Sequence, residues 1–215
     1  MQIIKKLIQG CFCLAVALNA GAAQAFSLIS ESQIIASTNL PSLVLGSGSF
    51  PINQIADGIT KDGLFPTFPG PFNGFASPAA TGTITLDLVG EFNLSSFILW
   101  NDINVFQEGI KDFRLNFFTS SNSLIPINFS PNFTAPITQV EAEEYVFGEV
   151  VPGVSRVDLV VLSSQQSSFG INRIEIREVA FTGDPVASVP EPLTVFGSIL
   201  GLGILGAVKQ KRKQQ

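Results

Sequence analysis

The strongest constraint on the fold is a period-two alternation of apolar and polar residues through the middle of the chain. Segments 84–88, 113–117 and 157–161 each place an apolar side chain at every second position, and Ile174 and Ile176 flank Glu175 in the same way. Successive side chains of a β-strand point to opposite faces, so this pattern predicts half-buried antiparallel strands. Because residues 26–188 contain no convincing 3.6-residue period, the middle is predicted to be all-β.

Further strands are expected near residues 33–37, 94–100, 124–129 and 145–150, and segment 94–100 looks buried on both faces. About eight strands separated by turn residues are typical of an antiparallel β-sandwich or jelly roll. In the last strand the apolar phase set by Ile174 and Ile176 is broken before Val179 and Phe181. This break predicts either a β-bulge at residues 177–178 or a shift to another strand or a turn.

Composition excludes several kinds of chemistry. The chain has no histidine, and its two cysteines, Cys11 and Cys13, lie in the apolar leader. Histidine-based triads, histidine-ligated zinc and cysteine catalysis are therefore excluded for the middle of the chain. Of the 17 acidic residues, 16 lie between the two ends, whereas half of the 12 Lys and Arg lie at the ends. An acidic middle repels phosphate backbones and attracts cations, so we expect no nucleic-acid partner.

The carboxylates do not predict an enzyme. A glycosidase needs two facing carboxylates about 5–9.5 Å apart, and no such pair is evident in the sequence. The acidic run formed by Glu141, Glu143, Glu144 and Glu149 is interpreted as a solvated strand edge. We therefore expect binding and not catalysis.

Both ends have the composition of targeting segments. Lys5 and Lys6 precede a short apolar run, and Ala23 and Ala25 suit a signal peptidase. These features predict a helical signal peptide over residues 1–25. Residues 193–208 are apolar and are followed by a Lys/Arg cluster at 209–213. This pattern predicts a short transmembrane helix whose basic end stays cytoplasmic, with the domain outside.

The C-terminal segment resembles the PEP-CTERM sorting tails of bacterial exported proteins. The matching residues are Pro190-Glu191-Pro192, the glycine-bearing apolar stretch 193–208 and the basic cluster, so the tail spans 190–213. The resemblance implies an exosortase-type processing enzyme as a partner and transient anchoring in the inner membrane. Release to the cell surface or the extracellular space would follow.

The order of motifs in the middle resembles the discoidin-like, coagulation-factor type C and galactose-binding-like domains. The motifs are Ala56-Asp57-Gly58 and then segments 84–88, 97–102, 109–113, 154–159 and 178–183. The resemblance implies one β-sandwich domain over 26–183, followed by a linker at 184–189. The tryptophan that is usual in that family between the Asp-Gly motif and the motif at 84–88 is absent here, and so is the flanking cysteine pair of many relatives.

The same resemblance implies a structural calcium ion. In sugar-binding relatives, a calcium ion joins the Asp-Gly loop to a late glutamate. The resemblance implies that the ligands here are Asp57 and Thr60 in the loop and Glu178 as the late glutamate. Calcium takes several oxygen ligands at about 2.3–2.6 Å, and loop carbonyls with two carboxylates supply them. The alternative is a β-turn capped by the Asp57 side chain without an ion.

The segment 64–80 is rich in phenylalanine and proline. Phe65, Phe68, Phe72 and Phe75 are interleaved with prolines that hold a loop extended. If exposed, these rings could stack on the faces of a cell-surface glycan or exopolysaccharide. One alternative is that they fill one end of the sandwich, and another is a structural matrix protein that self-associates without a small ligand.

Overall fold

The computed structural model describes residues 26–45, 48–59, 73–101, 109–137, 142–165 and 173–187. The strands are β1 (Ser27–Leu28), β2 (Ile34–Thr38), β3 (Val44–Leu45), β4 (Gly48–Ser49), β5 (Phe75–Ser77), β6 (Gly82–Asn101), β7 (Asp112–Phe118), β8 (Asn132–Thr134), β9 (Glu143–Val161) and β10 (Ile174–Pro185). Two short 3-10 helices, Glu31–Gln33 and Ile52–Ala56, complete the elements.

These ranges contain no α-helix, and no helix in them is long and apolar enough to cross a membrane. The predicted signal segment 1–25, the sorting motif Pro190-Glu191-Pro192 and the predicted helix 193–208 lie outside the described residues. The helices predicted at the two ends therefore stay predictions.

Two long bent strands build the architecture. The first part of β6, residues 82–87, pairs with residues 156–161 of β9, and residues 92–99 pair with the earlier part of β9. The register shifts between Asp87 and Phe92, where Gly90 adopts a φ of 115° that favours glycine. The two halves of each strand consequently lie in different layers of one eight-stranded antiparallel sheet, which curls over its own apolar face.

Neighbouring strands complete the two layers. β2 and β7 flank the first layer, while β10 pairs with the second half of β6 and carries β1 and β5. Between the layers the ring of Phe97 on β6 lies 5.8 Å from that of Phe113 on β7 and 5.4 Å from that of Phe181 on β10. The abundant phenylalanine thus fills the core of the domain.

The alternating segments are strands, as predicted, and their apolar residues are buried. The sequence pattern divided them too finely, because segments 84–88 and 94–100 are both parts of β6, and 145–150 and 157–161 are both parts of β9. The strand predicted at 124–129 is wrong. Only Leu124 forms a bridge, to Phe118, and Pro126 has no N–H with which to extend a ladder.

The predicted bulge in the last strand is confirmed. Ile176 is opposite Asn101 and Glu178 is opposite Trp100, so Arg177 is an extra residue on β10. The insertion returns Val179 and Phe181 to the core, where at most 1 % of each is exposed. It also presents Glu178, the neighbour of Val179, to the opposite face of the sheet.

Side-chain hydrogen bonds fasten the strand ends at one end of the domain. The Asn101 amide donates to the carbonyl of Ile110 at 2.6 Å and accepts from the Ile110 N–H at 2.8 Å. Nearby, Ser163 and Thr134 donate to the carboxylate of Asp112 at 2.7 and 2.8 Å. The Ser163 hydroxyl first, and then that of Thr134, hold the pKa of Asp112 below its ordinary value of 3.8.

Candidate functional site

The Asp-Gly loop meets the bulged strand, as the motif order predicted. The N–H of Gly58 donates to Oε1 of Glu178 at 3.1 Å, although the two residues are 120 positions apart in the chain. Glu178 is 1 % exposed, so its carboxylate is removed from water beneath the loop. Gly58 has a φ of 77°, and a Cβ at this position would meet the carboxylate of Glu31 at 2.8 Å.

Asp57 shapes the turn that brings Gly58 to this position. Its Oδ1 accepts from the N–H of Ile59 at 3.0 Å, which is the hydrogen bond of an Asx-turn. The amide of Asn73 approaches both carboxylate oxygens at 3.3 to 3.4 Å. The turn of the alternative interpretation is therefore present.

The donor chemistry of this loop suits calcium only in part. Asp57 and Glu178 supply hard oxygen ligands, which calcium prefers. Among the described residues, however, no three His, Cys, Asp or Glu side chains are grouped closely enough to hold a metal. The third predicted ligand, Thr60, lies outside the described residues.

Of the four phenylalanines predicted to contact a ligand, the structure describes only Phe75. Phe65, Phe68 and Phe72 lie outside the described residues. Phe75 lies in β5, where it pairs with Ile176, and none of its surface is exposed. A ring so buried cannot reach a ligand at the surface, and for Phe75 the predicted ligand contact is replaced by a packing role in the core.

A groove with polar and apolar walls lies on the outward face of the second layer. Ser96 adjoins the core residue Phe97 on β6, so its side chain points away from the core. The groove has a volume of about 390 Å³, and we call it the β6–β9–β10 groove. Ser95, Ser96 and Thr182 line it together with Glu144, Val146 and Val150.

Hydrogen bonds connect the polar side chains of this groove into one chain. The hydroxyls of Ser95 and Thr182 lie 2.7 Å apart, and those of Thr182 and Ser96 lie 2.6 Å apart. Ser96 then donates to Oε1 of Glu144 at 2.6 Å. The result is a continuous path across three adjacent strands.

Sequence reasoning did not identify this groove. Ser and Thr are ordinary strand residues, and the acidic run was interpreted as a solvated edge. Glu144 is exposed, as that interpretation expects, but it also accepts from the buried hydroxyl of Ser96. The only available signal was the polar pair Ser95-Ser96 inside the otherwise apolar stretch from Leu94 to Trp100.

No family model matches the chain, and no curated protein matches its sequence. Solved structures match its fold. The family 32 carbohydrate-binding module of C. perfringens NanJ, in complex with galactose, has a TM-score of 0.54 at 11 % identity, covering 74 % of this chain and 99 % of that module. A second family 32 module from Clostridium perfringens, in complex with GalNAc-β-1,3-galactose, has a TM-score of 0.53 at 14 % identity, covering 72 % and 99 %.

The C-terminal domain of a chitobiase from Bacteroides fragilis matches with a TM-score of 0.50 at 15 % identity, covering 75 % of this chain and all of that domain. At such identities the similarity concerns the fold alone. It supports the predicted β-sandwich across most of the described residues.

Proposed function

We propose that the chain is an exported protein whose β-sandwich binds a cell-surface glycan or exopolysaccharide and performs no catalysis. The supporting observation is its fold similarity, over 99 % of their length, to two modules solved with galactose or GalNAc-β-1,3-galactose. A binding role requires no catalytic side chain, which suits a chain without histidine. It also suits an acidic domain that repels nucleic acid.

The proposal includes the sorting of the protein. The leader 1–25 would direct export, and the motif Pro190-Glu191-Pro192 with the helix 193–208 would hold the chain in the inner membrane until an exosortase-type enzyme acts. The domain would then reach the cell surface or the extracellular matrix. These steps rest on the sequence resemblance.

Calcium is proposed as a structural ion, held by Asp57, Thr60 and Glu178. The buried carboxylate of Glu178 beside the Gly58 loop supports this part of the proposal. Such an ion would fasten the loop to β10 and would take no part in ligand chemistry.

The Phe-rich segment is proposed to contribute to binding through Phe65, Phe68 and Phe72. It leaves the described structure at Ile59 and returns at Asn73, whose side chain contacts Asp57. The two described residues on either side of 60–72, Ile59 and Asn73, thus both contact Asp57.

The experiment is a glycan array probed with the full-length chain in mild detergent and calcium. It should include neutral, amino and acidic saccharides, and binding to at least one saccharide class is expected. Replacing Phe65, Phe68 and Phe72 together by Ala should weaken binding about tenfold or more, since stacked aromatic rings dominate such contacts. Phe118→Ala, which removes a half-buried ring on β7 that packs against Arg156, should change glycan binding little.

Absence of binding to every saccharide class would contradict the proposal. If the chain instead self-associates with rising concentration, the alternative of a structural matrix protein is favoured. One observation already suits that alternative: β2 pairs only with β6 among the described strands and carries Ile35, which is 58 % exposed.

A further inference from the structure

We propose that the β6–β9–β10 groove is a saccharide-binding site that accepts neutral or amino sugars and rejects acidic ones. This inference rests on the proposed function. To the contribution proposed for the Phe-rich segment it adds a site among the described residues and a ligand class. It is carried by the hydrogen-bond chain, the charge of the groove and its exposed apolar wall.

Counting protons fixes the direction of the hydrogen-bond chain. Each hydroxyl has one proton, and that of Ser96 is committed to Glu144 at 2.6 Å. Thr182 must therefore donate to Ser96, and Ser95 must donate to the Thr182 hydroxyl at 2.7 Å, with the Thr182 carbonyl at 3.3 Å as a second, weaker acceptor. All three protons point toward Glu144, which leaves Ser95 at the far end as an acceptor.

The groove consequently presents acceptors to a ligand. Ser95 has open lone pairs, and Oε2 of Glu144 takes no hydrogen bond from any described residue. An ionised carboxylate accepts strong, charge-assisted hydrogen bonds. A ligand rich in donors, such as the hydroxyls of a sugar or an ammonium group, complements this arrangement.

The charge of the groove selects against acidic ligands. Glu144 and Glu149 both line it, and no Lys or Arg stands among its described lining residues. Glu149 is held in place by Asn128, whose backbone N–H and side-chain amide donate to it at 2.8 and 3.2 Å. A uronate or a sulfated sugar would bring a third negative charge beside these two carboxylates, which costs binding energy.

The groove also has an apolar wall and a suitable size. Val146 is 70 % exposed and Val150 is 41 % exposed, and both side chains line the groove. The C–H face of a pyranose buries against such side chains, whereas its hydroxyls meet the polar floor. The volume of 390 Å³ falls in the range of about 300–1,000 Å³ that is usual for small-molecule sites.

The floor of the groove belongs to paired strands. Ser96 is opposite Val146 on β9 and opposite Thr182 on β10, so backbone pairing fixes the three hydroxyls relative to Glu144. Groups held in this way lose little entropy when a ligand binds. The site is therefore preformed.

The test uses full-length chain in mild detergent and measures binding calorimetrically to galactose, glucosamine and glucuronate. The unaltered chain should bind galactose or glucosamine and bind glucuronate at least about tenfold more weakly. Val146→Arg places a long side chain in the groove and should lower the affinity at least about tenfold. Ile35→Arg likewise places an Arg at an exposed strand position, but in the other layer, and should leave the affinity unchanged.

A second variant examines the charge without adding bulk. Glu144→Gln should reduce the discrimination against glucuronate, whereas Asp87→Asn, which removes a charge from the exposed face of the first half of β6, should preserve it. Glycan binding that survives Val146→Arg, with unchanged discrimination in Glu144→Gln, overturns this inference and leaves the proposed function standing. Failure of the unaltered chain to bind any saccharide, on the array as well, overturns both.

Discussion

Tyr145 contains a buried hydroxyl that finds no hydrogen-bond partner among the described residues. Its ring packs well, 5.1 Å from that of Phe113 and 5.4 Å from that of Phe133. Burial first, and then the charge of Glu143, raise the pKa of Tyr145 well above its ordinary value of 10. Tyr145→Phe should keep the ring contacts, remove the unpaired group and raise the free energy of unfolding by up to about 1 kcal/mol.

The raised pKa also gives the prediction a pH dependence. The phenol stays neutral in the folded chain but ionises in the unfolded chain above about pH 10. Ionisation therefore favours the unfolded chain, and the free energy of unfolding falls as pH rises beyond that value. Denaturant unfolding between pH 8 and 11 should show a steeper decline for the unaltered chain than for Tyr145→Phe. Tyr145→Leu, which loses the ring contacts, should instead be destabilised by about 1–3 kcal/mol at all these pH values.

Individual residues were predictable where a local pattern constrained them. The bulge residue Arg177 and the proximity of Glu178 to the Asp-Gly loop followed from a broken apolar phase and from motif order. The role of Ser96 could not be predicted, because its meaning depends on Thr182 and Glu144 from two other strands. A sequence does not show which residues lie opposite one another before the register is known.

At the level of elements, the loop at Asp57 and the bulged strand β10 form the proposed calcium unit. An ion bound only to the folded chain would add about 2.7 kcal/mol at a hundredfold excess over its Kd. Because 1 kcal/mol corresponds to about 2–4 °C for a chain of 150–250 residues, chelation should lower the Tm by roughly 5–10 °C. Melting curves with calcium and with excess chelator measure this difference.

Asp57→Asn and Glu178→Gln should abolish the chelator effect, since the amide oxygens still accept the N–H of Ile59 or of Gly58 but lack the charge. Asp158→Asn is the matched control. It weakens contacts to Thr85 and Arg156 and should lower the Tm equally with and without calcium. Identical melting of the unaltered chain in both buffers would mean that the Asx-turn and the Gly58–Glu178 hydrogen bond hold the loop without an ion.

Elements were predicted well in type and poorly in extent. Alternation identifies a strand, but it cannot show that a strand continues through a bend, because the phase is lost at a register shift. Residues 89–91 of β6 interrupt the apolar pattern, so one strand of 20 residues looked like two. The two-layer architecture depends on these bends, which tertiary pairing determines.

For the whole molecule, the remaining prediction concerns processing. The apolar stretch 193–208 should hold the newly exported chain in the membrane, with the basic cluster at 209–213 on the cytoplasmic side. Mass spectrometry of released protein from the native host should find Phe26 as the first residue and no sequence beyond the region of Pro190. A chain in which Pro190, Glu191 and Pro192 are all replaced by Ala should keep its tail and stay in the membrane fraction, because the sorting motif is lost while the apolar stretch is unchanged. Released protein with an intact tail would show that the ends of the chain do not work as a sorting signal, and the glycan-binding proposal would then have to stand on the domain alone.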